Sequence, residues 1–146
     1  MVLKSNLANL LFPVLNILSD GKFHSGEAIA KHFNVSRVSI WQAIAEAEKL
    51  GVEIFSVRGK GYSLSHSVQF IDEDKVKQSI GEMASWFNIK VFDVVDSTNN
   101  FLMQEAPKGY PHASCVATNI QTSGKGRRGR QWQSSLGENL TFSFLW

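Results

Sequence analysis

Residues Gln121-Thr-Ser-Gly-Lys-Gly-Arg-Arg-Gly-Arg-Gln-Trp132 place four cations and three glycines in one short segment. Glycines leave the backbone free to fold over a ligand, and a lysine with three guanidinium groups offsets the charge of an anion beneath it. Read alone, the segment suits an anion-closing loop, an arginine-rich nucleic-acid patch or a solvated loop. A Walker-type phosphate loop does not fit, because Lys125 is followed by Gly126 rather than Ser or Thr, and position 119 is Asn rather than Gly. Upstream, Val91-Phe-Asp-Val-Val-Asp-Ser-Thr-Asn99 ends an apolar strand pattern in hydroxyl and amide side chains. Downstream, Gly137-Glu-Asn-Leu-Thr-Phe-Ser-Phe-Leu-Trp146 reads as another strand.

A second concentration of polar chemistry lies nearer the N-terminus, and the elements around it define its geometry. Leu10, Leu11, Val14, Leu15 and Leu18 mark one face of a helix ending near Asp20-Gly21. Ser25 can cap a second helix through Phe33, Asn34 makes the turn, and a third helix follows Ser36 and stops at Leu50-Gly51. Ala30 suits the close crossing of the second and third helices, with Ile29, Phe33, Val35, Ile40 and Ala43 as shared core and Trp41 assigned to that core as well. Val52 to Val57 and Tyr62 to Leu64 read as strands joined by Arg58-Gly-Lys-Gly61, a hairpin tip that carries its cations outward. This is the pattern of a winged helix-turn-helix. Such a recognition helix enters the major groove by its N-terminal residues, so Ser36, Arg37, Ser39 and Gln42 are the expected base readers and Arg58 and Lys60 the expected phosphate contacts.

The loop at 121–132 has its own supporting elements. A polar helix is expected over Asp72 to Ile80, strand character from Ile89, a short helix capped by Ser97 and Thr98, an interruption at Pro107, and a strand over Ser114 to Asn119 with Gln121 at its end. The resulting expectation is an α+β chain in three parts: a winged helix-turn-helix over 1–65, a linker over 66–70 and a mixed α/β unit over 71–146.

Composition sets outer bounds. Hydrophobic content of 43% with 11% aromatic residues is that of a globular chain. The formal charge of +2 hides its distribution: residues 1–66 carry seven Lys/Arg against five Asp/Glu, and residues 67–146 carry eight of each, half of those cations falling between Lys125 and Arg130. Cys115 is the single cysteine, which excludes an intramolecular disulfide and fits a cytoplasmic location, with a buried strand position expected for it. No apolar run reaches the ~18 to 20 residues of a bilayer span, and Asn6, Asn9 and Asn16 with no small-residue cleavage site argue against a secretory signal. His24, His32, His66 and His112 are too dispersed for a metal motif, and no metal ligand is assigned.

Taken together, Asp96-Ser-Thr-Asn99, the basic segment and Gly137-Glu-Asn-Leu140 resemble the start of the catalytic domain of biotin protein ligases. The stretch from Asp20-Gly-Lys-Phe-His-Ser-Gly-Glu27 to Gly59-Lys-Gly-Tyr-Ser-Leu64 resembles the DNA-binding domain of the family's bifunctional members, which are also biotin-operon repressors and which differ in this from the single-function ligases. The resemblance implies that biotin and ATP, with Mg2+ as counter-ion, give biotinyl-5′-AMP and pyrophosphate, after which a lysine of biotin carboxyl carrier protein takes the biotinyl group. It also implies operator DNA as a partner and a homodimer, with no membrane association. By motif, Ser97, Thr98, Asn99, Gln121, Lys125, Gly126 and Arg127 would contact biotin. Arg127, Arg128 and Arg130 would be catalytic, offsetting charge as the biotin carboxylate attacks the α-phosphate. Lys125 stands where the family more often has Arg, which keeps the cation but loses its two-pronged donor.

The family's catalytic lysine belongs to a later Lys-Trp-Pro-Asn-Asp segment, and neither it nor a small C-terminal barrel occurs in these 146 residues. The expectation is therefore an incomplete active site, and a final strand whose Leu140, Phe142, Phe144 and Trp146 alternate on one uncovered face and promote association. Two other readings compete. One is a non-enzymatic winged-helix DNA-binding regulator with a remnant ligand site, whose duplex binding would ignore biotin and ATP. The other is a lipoate or other acyl-adenylate ligase, which the three-arginine loop fits less well.

Overall fold

A computed structural model describes residues 5–132 and 134–146, and these divide into two compact units, Met1–Gln69 and Phe70–Trp146. In the first, helix α1 (Ser5–Leu18) is followed by α2 (Gly26–Phe33), α3 (Arg37–Lys49) and a hairpin of β1 (Ile54–Val57) and β2 (Gly61–Leu64). The helix ends follow side-chain chemistry. Ser25 Oγ accepts from Ala28 N at 3.0 Å, Ser36 Oγ accepts from Ser39 N at 3.1 Å, and Asn34 closes α2 in the left-handed region. Leu11, Val14, Leu15 and Leu18 are buried on α1, and Ile29, Ala30, Ile40, Ala43, Ile44 and Ala47 on α2 and α3, with Leu10 half-buried at the edge of the stripe.

Three expected core residues lie elsewhere. Phe33 is half-buried, Val35 is 37% exposed and Trp41 is 60% exposed. The inward face of α3 is the stripe of Ile40, Ala43, Ile44 and Ala47, and one residue of advance rotates a side chain by about 100°. Trp41 therefore turns out of the stripe that Ile40 enters.

The hairpin pairs Ile54 with Leu64 and Val57 with Gly61, leaving Arg58, Gly59 and Lys60 as its tip. A third segment joins it, since His24 N donates to Tyr62 O at 2.8 Å and Tyr62 N donates to His24 O at 2.9 Å. Gly61 makes that approach possible: its φ is +102°, and a Cβ there would lie 2.0 Å from His24 O. Ser63 is buried beneath, its Oγ 3.0 Å from Gly21 O.

The second unit is built on a three-stranded mixed sheet of order β3-β4-β7, from β3 (Asn88–Val95), β4 (Ser114–Gln121) and β7 (Thr141–Leu145). β3 and β4 are parallel and β4 and β7 antiparallel. The central strand is covered on both faces, with Ser114, Val116, Ala117, Thr118 and Ile120 all buried, and Cys115 beside them half-buried. Helix α4 (Glu73–Ile80) is capped by Asp72 and runs into a 3-10 segment, Gly81–Trp86, that the sequence reading did not anticipate. Glu73 ties α4 to the sheet: one carboxylate oxygen accepts from Lys77 Nζ at 2.6 Å and the other from Val91 N at 3.1 Å. Helix α5 (Thr98–Glu105) follows β3 and ends in a 3-10 turn containing Pro107.

Two details depart from expectation. The segment at 121–132 forms a tight hairpin of β5 (Gly124–Lys125) and β6 (Gln131–Trp132) around a 3-10 turn, Arg127–Gly129. The last strand begins at Thr141 instead of Gly137, because Gly137 has φ +75° and Glu138 N returns to Ser135 O in a turn. Its alternation is as expected: Phe142 and Phe144 are 45% and 59% exposed, whereas Thr141, Ser143 and Leu145 are half-buried. Among the described residues, no helix is long and apolar enough to cross a membrane.

Candidate functional site

In the second unit the hydroxyl and amide groups converge where two strands end together. Val95 at the end of β3 pairs with Gln121 at the end of β4. Thr122 N then donates to Val95 O at 3.0 Å and Ser123 N to Asp96 O at 2.7 Å, so the chain after each strand is held against the other. Thr98 lies at the centre and is buried. Its backbone N donates to Gln121 Oε1 at 3.0 Å, its Oγ1 lies 3.5 Å from the same oxygen, and that Oγ1 is 2.8 Å from Ser143 Oγ. Ser97 is also buried, and its Oγ caps α5 by accepting from Asn100 N at 3.3 Å. Asn99, one residue on, is exposed.

Gln121 and Thr98 thus meet, with Gln121 Oε1 committed to Thr98. The Gln121 amide N–H2 has no hydrogen-bond acceptor among the described residues and can donate to a bound carbonyl. Gly124 closes in beside it: a Cβ at this position would lie 2.4 Å from Gln121 Nε2 and 2.5 Å from Trp132 O. The start of the basic hairpin is therefore packed directly against the Gln121 side chain.

The cations behave differently. Lys125, Arg127, Arg128 and Arg130 are all exposed, and among the described residues none has an ion-pair partner. Gly126 N donates to Arg130 O at 2.7 Å and Arg128 sits at φ +59°, so the hairpin backbone gathers them at one tip. Four unpaired like charges on a short loop repel one another and favour an anion between them. Ser143 and Gly124 were missed by sequence reasoning. Ser143 was legible in principle, as the polar inward position between outward Phe142 and Phe144; Gly124 was not, because its role depends on Trp132 folding back.

In the first unit, Arg37, Gln42, Arg58 and Lys60 are exposed. Ser36 and Ser39 are engaged with each other, their hydroxyls 2.9 Å apart in the cap of α3. Lys60 Nζ lies 5.8 Å from the centre of the Phe23 ring, which steadies the hairpin tip. One cleft of about 900 Å3 runs between α3 and the hairpin, lined by Arg37, Val38, Trp41, Val57, Arg58 and Tyr62 among others.

Each unit also contains a segment that matches a known family. Residues 11–63 match the family described as an HTH domain, and residues 91–146 match the Biotin/lipoate A/B protein ligase family. The chain is 38% identical over 133 residues to the bifunctional ligase/repressor BirA of Salmonella typhimurium, covering 91% of this chain and 40% of that protein. It is 36% identical over 133 residues to the protein of the same name from Escherichia coli, with the same coverage. Against the Bacillus subtilis protein of that name, identity is 29% over 124 residues, or 85% of this chain and 38% of the relative. The chain thus spans about two fifths of the length of the curated relatives it matches. Residues 91–146 thus match the biotin/lipoate A/B protein ligase family and follow a match to a helix-turn-helix domain, and the chain aligns across both with bifunctional ligase/repressors.

Proposed function

We propose that this chain is part of a biotin protein ligase that also represses transcription, and that its two units divide the work. The observation that carries the ligase half is the Thr98–Gln121–Ser143 cluster, built on buried Thr98 with Gln121 and Ser143 half-buried, with the Gln121 amide donors free and a four-cation hairpin packed beside it. A ureido carbonyl is a good acceptor for those donors, which suits biotin better than a dithiolane acid without such a group. Ser97, Thr98, Asn99, Gln121, Lys125, Gly126 and Arg127 form the biotin-binding set. Lys125, Arg127, Arg128 and Arg130 face the phosphates of MgATP.

The reaction joins biotin to ATP. The biotin carboxylate attacks the α-phosphorus, the bond to the β-phosphate oxygen breaks, and biotinyl-5′-AMP and pyrophosphate result. The guanidinium groups offset the negative charge that builds on the α-phosphate oxygens. A lysine amine of a biotin carboxyl carrier protein then attacks the acyl carbonyl and releases AMP. The winged unit binds operator DNA, with Ser36, Arg37, Ser39 and Gln42 at the bases and Arg58 and Lys60 on phosphates. The full protein acts as a cytoplasmic homodimer. An independent DNA-binding regulator that ignores ligand explains the first unit equally well but leaves the unpaired cations beside Gln121 without a role.

The test is to incubate the 146-residue chain with biotin and MgATP and look by mass spectrometry for biotinyl-5′-adenylate, alongside a calorimetric biotin titration. Adenylate, or biotin binding that Thr98→Val weakens at least tenfold, supports the reading. No biotin binding in protein shown to be folded by circular dichroism overturns the biotin-binding set of the second unit.

A further inference from the structure

Val38 and Trp41 occupy the outward face of α3, 61% and 60% exposed, three residues apart and therefore side by side on the helix surface. Neither serves the core, whose inward stripe is complete without them. Both line the cleft between α3 and the hairpin, together with Val57 and Tyr62. The charge at the margins is suited to an anionic partner: Arg37 and Arg58 line the same cleft, are exposed, and have no ion-pair partner among the described residues, against the single carboxylate of Glu27. An apolar floor between cations is a poor site for phosphate itself and a good one for something apolar carried on a polyanion. In duplex DNA that group is the C5-methyl of thymine, displayed in the major groove beside the base-edge hydrogen-bonding atoms.

We infer that Val38 and Trp41 are specificity-determining residues that read thymine methyl groups in the major groove. This rests on the DNA-binding reading of the first unit and adds to it a mode of recognition that none of Ser36, Arg37, Ser39, Gln42, Arg58 and Lys60 supplies. The division of labour follows from chemistry. Arg58 and Lys60 give attraction that is blind to sequence and decays with salt. Contact with a methyl group is selective and insensitive to salt, and each methyl buried is worth about a fourfold change in affinity. Gln42, exposed on the same helix, has the amide geometry to pair with an adenine edge, so A·T pairs satisfy both kinds of reader.

The experiment starts from a pool of randomised duplexes, enriched by rounds of retention on the 146-residue chain. In the best-enriched duplex each thymine is then replaced in turn by deoxyuridine, which deletes the methyl and leaves every hydrogen-bonding atom in place. The expected result, by fluorescence anisotropy, is one or two thymine positions where deletion weakens binding about fourfold each. That penalty should persist unchanged between about 50 and 200 mM salt and vanish in Val38→Ala or Trp41→Ala. Because the deletion is made on the DNA, the penalty in the unsubstituted chain does not depend on how a variant folds, and each variant is read by its ratio of deoxyuridine to thymine affinity in a duplex it still binds. Uniform tolerance of deoxyuridine in a duplex that still binds, or the same penalties in both variants, overturns the inference while leaving DNA binding intact. Failure to retain any duplex overturns the DNA-binding reading, and this inference with it.

Discussion

Both units expose large apolar side chains, and in different company. In the first, Val38 and Trp41 stand out from α3 into a cleft flanked by Arg37 and Arg58, above a core in which Leu18 and Ile40 are fully buried. In the second, Leu140, Phe142, Phe144 and Trp146 line up at and around β7, which pairs with β4 on one side of the sheet only. Apolar side chains among unpaired cations mark a surface suited to a polyanion with apolar features. Apolar side chains alternating along an edge strand mark a surface suited to another apolar face. Exposure alone does not distinguish the two; the neighbouring charge does.

The contrast can be broken most severely at Gly61. Gly61→Val would force a Cβ into His24 O and place a β-branched residue at φ +102°. The expected cost to the first unit is about 3 kcal/mol or more, read as an early thermal transition, with loss of duplex retention because the hairpin separates from His24. Unchanged melting would mean that the hairpin does not depend on the pairing of His24 with Tyr62.

A smaller effect tests the second surface. The 146-residue chain should self-associate at micromolar concentration in analytical ultracentrifugation, and the double substitution Phe142→Ser with Phe144→Ser should raise the association midpoint on the order of 100-fold. Duplex binding by a single chain should be unaffected. A monomer before substitution would show that this face is not adhesive despite its exposure.

The smallest effect concerns how the sheet is tied to α4. The Lys77 ammonium holds the Glu73 carboxyl below its ordinary value of 4.5, with the Val91 N–H and Lys90 adding to the shift and partial burial opposing it. A carboxyl lowered in the folded state stabilises above its unfolded value, and that contribution is lost as pH falls through the lowered one. Glu73→Gln should therefore cost under about 1 kcal/mol at neutral pH and nearly nothing at the acid end of a denaturation series. A cost that did not shrink with acid would assign the role of Glu73 to packing.

Much of this architecture was legible locally. Ser25 and Ser97 were marked as caps, helix starts were placed at Ser36 and Asp72, and each of the four side chains accepts a bond from a free backbone N–H three residues on. Asn34 and Gly51 were marked as stops because they tolerate the left-handed region, and both adopt it. The alternation of β7 is likewise a property of a few consecutive residues. What misled was the use of residue type as a guide to burial. Trp41 was placed inside because it is large and apolar, yet the angular position of a helix residue is set by which neighbours pack, and Ile40 and Ile44 had already taken the inward positions.

By itself, then, the order of residues determined where α2, α3, α4 and α5 start, which residues of the last strand alternate, and which motifs recur: the Asp-Ser-Thr-Asn run that follows β3, the basic segment at 121–132 and the cation-tipped wing. These depend on chemistry within a few residues, and the family resemblance rests on the same short strings. Only the tertiary structure decided that Thr98 meets both Gln121 and Ser143, that Gly124 must lack a side chain because Trp132 returns to it, and that Trp41 faces a cleft. Each of those facts joins segments distant in sequence, through the register of β4 against β3 and β7 or the packing of one helix on another, and no local pattern encodes such a register.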